Sequence, residues 1–172
     1  MKFLKLLTLI VIISSSVNAQ KSISFEAHQD LQLLISGDKY RGYEPGTMNS
    51  LLRFTLQGNQ DTYGYFTVSP QFEFANTPRP YKRYSVGAGY TLNKLIIPKS
   101  EISININWGW FNTDGIAAFS TSATLAYKFL FSPNVKIIAL GQATEDYTGI
   151  KNINFSVFAG IEIDVFKIKK IR

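Results

Sequence analysis

The 172-residue chain has no cysteine, a single histidine and few charged residues. The lack of cysteine excludes a disulfide-stapled protein. Charged residues make up 17% of the sequence, whereas a soluble domain usually carries about a quarter, so part of the surface is predicted not to face water. The formal net charge is +6, and this small excess does not predict nucleic-acid binding.

The N-terminal residues have the pattern of an export signal. Two lysines precede a short apolar run from Leu6 to Ile13, and Ala19 offers a cleavage site. This run is too short to cross a bilayer about 30 Å thick, and no later segment approaches that length. We therefore expect residues 1–19 to be a signal peptide and residues 20–172 to form one domain, because no linker or repeat divides them.

Apolar and polar residues alternate along most of the chain, as in β-strands with two different faces. The clearest cases are Glu101 to Trp110 and Asn152 to Val165, where only Phe158 breaks the pattern. Alternation is disturbed at Ile137-Ile138, where we expect a bulge. The six weaker candidate strands are Ser22 to Ile35, Met48 to Gln57, Tyr65 to Phe74, Lys82 to Leu92, Ala117 to Phe129 and Asn134 to Ala143.

Segments rich in Gly, Pro, Asn and Asp separate these strands, and each connection is short enough for a hairpin. Successive hairpins make a meander, and eight strands are about the number that closes into a small barrel without exposed edges. The sequence therefore predicts an all-β fold, a closed antiparallel up-and-down barrel of about eight strands.

Alternation alone fits both a soluble barrel with an apolar core and a membrane barrel with an apolar exterior. The polar face favours the membrane barrel, because it holds small uncharged residues such as Ser85, Gly87 and Ser122 instead of many charges. Aromatic residues of the apolar face cluster towards the strand ends, which is typical of girdles at membrane interfaces. The predicted lipid-facing girdle comprises Phe72, Phe74, Tyr84, Tyr90, Trp108, Trp110, Tyr127 and Phe129.

Charged residues on the predicted inner face occur where hairpin partners could neutralise them. An unpaired charge inside a narrow barrel costs on the order of several kcal/mol. We therefore expect interior ion pairs, although the second and third pairs below could instead lie at a rim in water. The predicted pairs are Glu73 with Arg83, Glu101 with Lys128, and Lys136 with Glu162.

With these features the chain resembles the small eight-stranded outer-membrane barrels of Gram-negative bacteria, the OmpX-like and OmpA-transmembrane-domain-like group. The segment from Gly160 to Val165 is similar to their C-terminal assembly signal, except that Ile163 and Val165 stand where aromatic residues are favoured and the chain continues beyond Phe166. The resemblance implies insertion by the barrel-assembly machinery, periplasmic termini and contact with outer-membrane lipid. It also implies that residues 37–47, 75–80, 111–115 and 144–149 face outward.

The loop from Gly37 to Thr47 mixes charged and aromatic residues, a composition suited to an extracellular partner but found more often in loops that are only solvated. His28, with Glu26 and Asp30 on the same predicted face, could act as a base if a serine of a neighbouring strand lay within reach. No pattern predicts a metal or cofactor site. An eight-stranded lumen is normally filled by side chains, so conduction is not expected.

The sequence thus predicts a non-enzymatic, integral outer-membrane barrel with a structural or surface-interaction role. Two other functions fit the same alternation. One is a lipid-modifying enzyme of the outer membrane, and the other is a periplasmic barrel that carries a small apolar ligand.

Overall fold

The computed structural model describes residues 22–38, 42–76, 81–93, 97–113, 115–146 and 152–167. The predicted signal peptide, residues 1–19, lies outside these ranges. The described elements are eight strands and one short helix. In chain order they are β1 (Ser22–Asp30), α1 (Leu31–Ile35), β2 (Met48–Gln60), β3 (Gly64–Asn76), β4 (Tyr81–Leu92), β5 (Ser100–Thr113), β6 (Ile116–Ser132), β7 (Val135–Asp146) and β8 (Asn152–Lys167).

The eight strands form one closed barrel in which each strand is antiparallel to the next and β1 pairs with β8. This confirms the predicted up-and-down barrel. Closure leaves no free sheet edge where the ring is complete, since every strand there has two neighbours. We call the end that carries Ser22 and Lys167 the lower end, and the end that carries α1 the upper end.

The barrel has its apolar face outside and its polar face inside. Ile104, Leu125 and Phe155 are 55%, 57% and 74% exposed, whereas Glu26 and Asn107 are fully buried. The side chains therefore alternate as predicted, with hydroxyl, amide and charged groups filling the interior.

The first strand is shorter than the alternation predicts, because β1 ends at Asp30 and Leu31–Ile35 form a helix. The Asp30 side chain accepts a hydrogen bond of 3.1 Å from the backbone N–H of Leu33. An aspartate in this position satisfies one of the free N–H groups of the first helical turn and so favours a helix start. The predicted strand from Ser22 to Ile35 was therefore wrong over Leu31–Ile35, which is helical.

The predicted bulge at Ile137-Ile138 is also wrong. The pairing of β7 with β6 runs without interruption through both residues, and the irregularity lies between Leu130 and Ser132. Ile138 and Phe158 both point inward, and they are 1% and 0% exposed. Both residues break the alternation because they belong to a small apolar cluster inside the barrel.

Candidate functional site: the charged lumen

The lower half of the lumen contains a network of six charged residues, here called the lower network: Glu26, Arg53, Glu101, Lys128, Lys136 and Glu162. Lys128 Nζ donates to Glu26 at 2.8 Å and to Glu162 at 2.7 Å. Lys136 Nζ donates to Glu101 at 2.8 Å and to Glu162 at 3.3 Å. Because three carboxylates face three cations, the network is formally neutral, as a buried charge cluster must nearly be.

The strand register places the members of all three predicted pairs opposite each other, but only two of these pairs are in contact. Lys136 lies opposite Glu162, and their charged atoms are 3.3 Å apart. Glu101 lies opposite Lys128 in the register, but Lys128 turns across the lumen to Glu26 and Glu162, and Glu101 takes Lys136 instead. The predicted partner of Glu101 therefore differs from the one in the structure.

The upper half of the lumen contains a second polar group around Glu73, here called the upper cluster. Arg83 Nη1 lies 3.6 Å from the Glu73 carboxylate, which is the predicted partnership. Gln142 donates to the same carboxylate at 2.9 Å, and the Tyr81 hydroxyl donates to it as well. Arg83 also donates to Ser120 at 2.7 Å, so the guanidinium links Glu73 on β3 to β6.

An apolar layer lies between the two charged groups on the β2, β6, β7 and β8 side of the lumen. Each member occupies a strand position between the lower network and the upper cluster, as Leu51 does between Arg53 and Asn49. Packed side chains without polar atoms leave no sites for ordered water. The layer consists of Leu51, Ala126, Ile138, Leu140 and Phe158, all at most 1% exposed.

The opposite side of the middle lumen is filled by asparagines set against glycines. Asn107 Nδ2 donates to Ser122 Oγ at 3.2 Å, and Thr67 donates to Asn105 at 3.0 Å. A Cβ on Gly87 would overlap Asn107 Oδ1, so only glycine leaves room for this amide. The sequence pattern Gly87-Ala88-Gly89 is therefore explained by packing.

A cavity of about 350 Å³ opens at the lower end, below the lower network. Its wall includes Tyr65, Glu101, Lys136 and Asp164, and the Tyr65 hydroxyl donates to Glu101 at 3.0 Å. The lumen therefore narrows from this polar vestibule to the packed apolar layer.

His28 lies inside the barrel beside Glu26, as the sequence predicts. Its Nε2 is 3.0 Å from Glu26 Oε2, while Asp30 instead caps α1. The residues directly opposite His28 are Leu51 on β2 and Gly160 on β8, neither of which is a nucleophile. Among the described residues, His28 Nδ1 has no hydrogen-bond partner. Within the described ranges, no serine hydroxyl is therefore hydrogen-bonded to His28, which is the contact that a catalytic role would need.

The eight predicted girdle residues all project from the outer face of the barrel. Near the upper end, the rings of Phe72 and Tyr84 stack with centroids 4.8 Å apart. Near the lower end, the Tyr90 ring contacts Phe66, and its hydroxyl donates to the Asp61 carboxylate in the β2–β3 turn at 2.7 Å. Aromatic rings with a polar tip directed towards a turn are typical of interfacial girdles.

The upper loop is only partly described, because residues 39–41 lie outside the described ranges. The backbones of Asp38 and Tyr43 exchange two hydrogen bonds of 2.8 Å, forming a small turn. Gly37 has a φ of 66° and packs against the backbone of Tyr43, where a side chain would not fit.

Sequence reasoning missed Arg53 as a member of the network and placed Glu26 only beside His28. Arg53 Nη1 lies 3.4 Å from Glu26 Oε2, and its Nη2 donates to Gln71 at 3.0 Å. The alternation within the predicted strand from Met48 to Gln57 could have identified Arg53, because it puts Arg53 on the inner face. Its partner was not readable, because 27 positions of chain separate Arg53 from Glu26.

Comparison with known proteins shows similarity at the level of the fold. The crystal structure of Neisserial surface protein A matches with a TM-score of 0.51 and 10% identity, over 82% of this chain and 94% of that one. The crystal structure of Ail, the attachment invasion locus protein of Yersinia pestis, gives 0.46 and 14%, over 85% and 97%. A de novo designed transmembrane β-barrel gives 0.49 and 12%, over 86% and 96%.

The first of these matches establishes that the chain has the fold of a small eight-stranded transmembrane barrel. No protein-family model and no curated protein sequence matches the chain. Within the described ranges, no helix is both long and apolar enough to span a bilayer. Those ranges also contain no group of three or more His, Cys, Asp or Glu side chains arranged to hold a metal ion.

Proposed function

We propose that the protein is an integral outer-membrane barrel with a structural or surface-interaction role. Residues 1–19 would direct its export and then be cleaved off. The main support for this proposal is the arrangement of the apolar and polar faces of the barrel. Ile104 and Leu125 on the outer face are more than half exposed, whereas Glu26 and Glu162 in the interior are fully buried. Only an apolar surrounding makes such an exterior stable. Closure of the barrel satisfies the backbone within that surrounding.

The lumen favours a structural role over conduction. Leu140 and Phe158 are packed on one side of the middle lumen and the Asn107 amide fills the other side, so side chains occupy the path that an ion would have to take. The wall of the cavity at the lower end carries the charged residues Glu101, Lys136 and Asp164, which disfavours a small apolar ligand. The non-enzymatic assignment is supported by Leu51 and Gly160 standing opposite His28.

An interaction role would fall to the upper loop, residues 37–47, as the contact surface for an extracellular partner. It is the longest connection at the upper end, and it joins strands whose other ends face the periplasm in the proposed orientation. We infer that the barrel-assembly machinery inserts the chain, with Gly160 to Val165 as the recognised segment.

The experiment is cell fractionation combined with gel mobility before and after boiling. We expect the processed protein in outer-membrane fractions, with a folded form that migrates differently from the boiled form. Recovery from the soluble periplasm would refute the proposal and favour the carrier. Loss of a lipid-modifying activity in a His28→Ala variant would instead favour the enzyme.

A further inference from the structure

At the upper end of the seam between β1 and β8, the described part of β8 extends beyond the end of β1. The last pair of the seam joins Asp30 to Phe158, whereas β8 begins six residues earlier at Asn152. Within the described residues, positions 152–157 of β8 pair with β7 only. We call this section the seam gap. Asn154 and Ser156 face the lumen there and are half-buried, while Phe158 just below is fully buried.

Helix α1 continues from β1 at this gap and packs mainly against β8. Its sequence is Leu-Gln-Leu-Leu-Ile, with no charged residue and no buried residue. Leu31, Leu34 and Ile35 share one face at the i, i+3, i+4 spacing and are 36%, 42% and 70% exposed. A helix of five residues is not stable in water by itself, and an unburied aliphatic face adds nothing to its stability there. Asp30 caps α1 and Gly46 N–H donates to Leu34 O, and an apolar surrounding would add to this stability by covering the aliphatic face.

The position of α1 along the barrel indicates what that surrounding is. On β1 and β2 the outward-facing residues are apolar up to Ala27 and Leu52, and then Gln29 and Ser50 bond to each other at 2.9 Å. Above this polar pair the outward-facing residue of β2 is Met48, which is apolar and 51% exposed, and α1 begins at the same end of the barrel, two residues after Gln29. Across the gap, outward Phe155 and Val157 of β8 extend the same band alongside α1.

We propose that α1 is an interfacial anchor whose aliphatic face inserts among the acyl chains of the outer leaflet and covers the seam gap. The partner is lipid, because the face is uncharged and continuous with the lipid-facing band. The anchor would cover the upper section of β8, whose described residues pair with β7 and not with β1. It also fixes the start of the 37–47 loop at the membrane surface. This inference rests on the proposed function.

The absence of cysteine allows a direct test by single-site labelling. Ile35→Cys and Leu34→Cys would carry the environment-sensitive fluorophore NBD, with Gln32→Cys, the polar position of α1, as the matched control and Glu44→Cys as a loop control. Each protein is reconstituted into phosphatidylcholine vesicles that contain lipids brominated near the headgroup end of the acyl chain. We expect at least twofold stronger quenching at positions 34 and 35 than at positions 32 and 44.

An additional label at Ile104→Cys separates failure of the anchor from failure of the proposed function. Quenching at position 104 by deeply brominated lipids, with positions 34 and 35 as weakly quenched as position 32, would overturn the anchor and leave the membrane barrel intact. Absence of quenching at position 104 would overturn both.

Discussion

Removing the cation that joins Glu26 to Glu162 should destabilise the folded barrel strongly. Lys128 is 3% exposed, and its ammonium contacts both carboxylates, at 2.8 and 2.7 Å. Lys128→Met keeps the length of the side chain and removes the charge. The two carboxylates would then face each other inside the lumen with one cation fewer.

The size of the effect follows from the partners that remain. Breaking a buried ion pair from one side costs about 3 to 5 kcal/mol. Glu26 would still have Arg53 at 3.4 Å, and Glu162 would still have Lys136 at 3.3 Å, so we expect the lower value. A loss of about 3 kcal/mol corresponds to roughly a hundredfold change in the unfolding equilibrium constant.

The free energy of unfolding would be measured by urea titration in vesicles, followed by the fluorescence of the outward-facing Trp108 and Trp110. Thr124→Val is the matched control, because Thr124 lies on the same inner face of β6 and, among the described residues, its hydroxyl has no hydrogen-bond partner. The double variant Lys128→Met, Glu162→Gln should recover at least about 1 kcal/mol by removing one carboxylate. Equal stability of Lys128→Met and Thr124→Val would refute the network as a structural requirement.

Three further predictions concern the outer face, the glycine packing and the apolar layer. Ile104→Lys should lower stability by roughly 2 to 4 kcal/mol if the site is near the bilayer midplane, and outer-membrane assembly should fail, whereas Ile104→Val should assemble; normal assembly of the lysine variant would contradict the orientation of the apolar face. Gly87→Ala should cost about 1 to 3 kcal/mol because its methyl group overlaps the Asn107 amide. Adding Asn107→Ser should restore part of this loss in the same urea titration, and no recovery would show that the overlap is not the cause. The native barrel should give no steady current in a planar bilayer, and Leu140→Ala with Phe158→Ala should give one; equal currents would argue against the apolar layer as the barrier.

Local patterns allowed most of the strands to be predicted. Within β5 the alternation of Ile102, Ile104 and Ile106 with Ser103 and Asn105 defines both faces without reference to any other strand. The helical turn at Leu31–Ile35 was missed because five residues are too short for a helical period to be recognised, and the capping bond from Asp30 became evident only with the fold. Ile138 and Phe158 looked like errors in the alternation because their inward partners are distant in sequence.

The sequence by itself determined the class of the fold, since a period of two over many segments with hairpin turns between them leaves few architectures other than a closed meander. The charged side chains were also identifiable as inward, from their parity within each strand. Their partners were decided only by the tertiary structure. Strand register places Glu101 beside Lys128, but a lysine side chain in a narrow lumen reaches across it, and the free energy of a buried charge depends on every neighbour at once. Pairing inside the barrel is therefore a property of the closed ring and not of any hairpin.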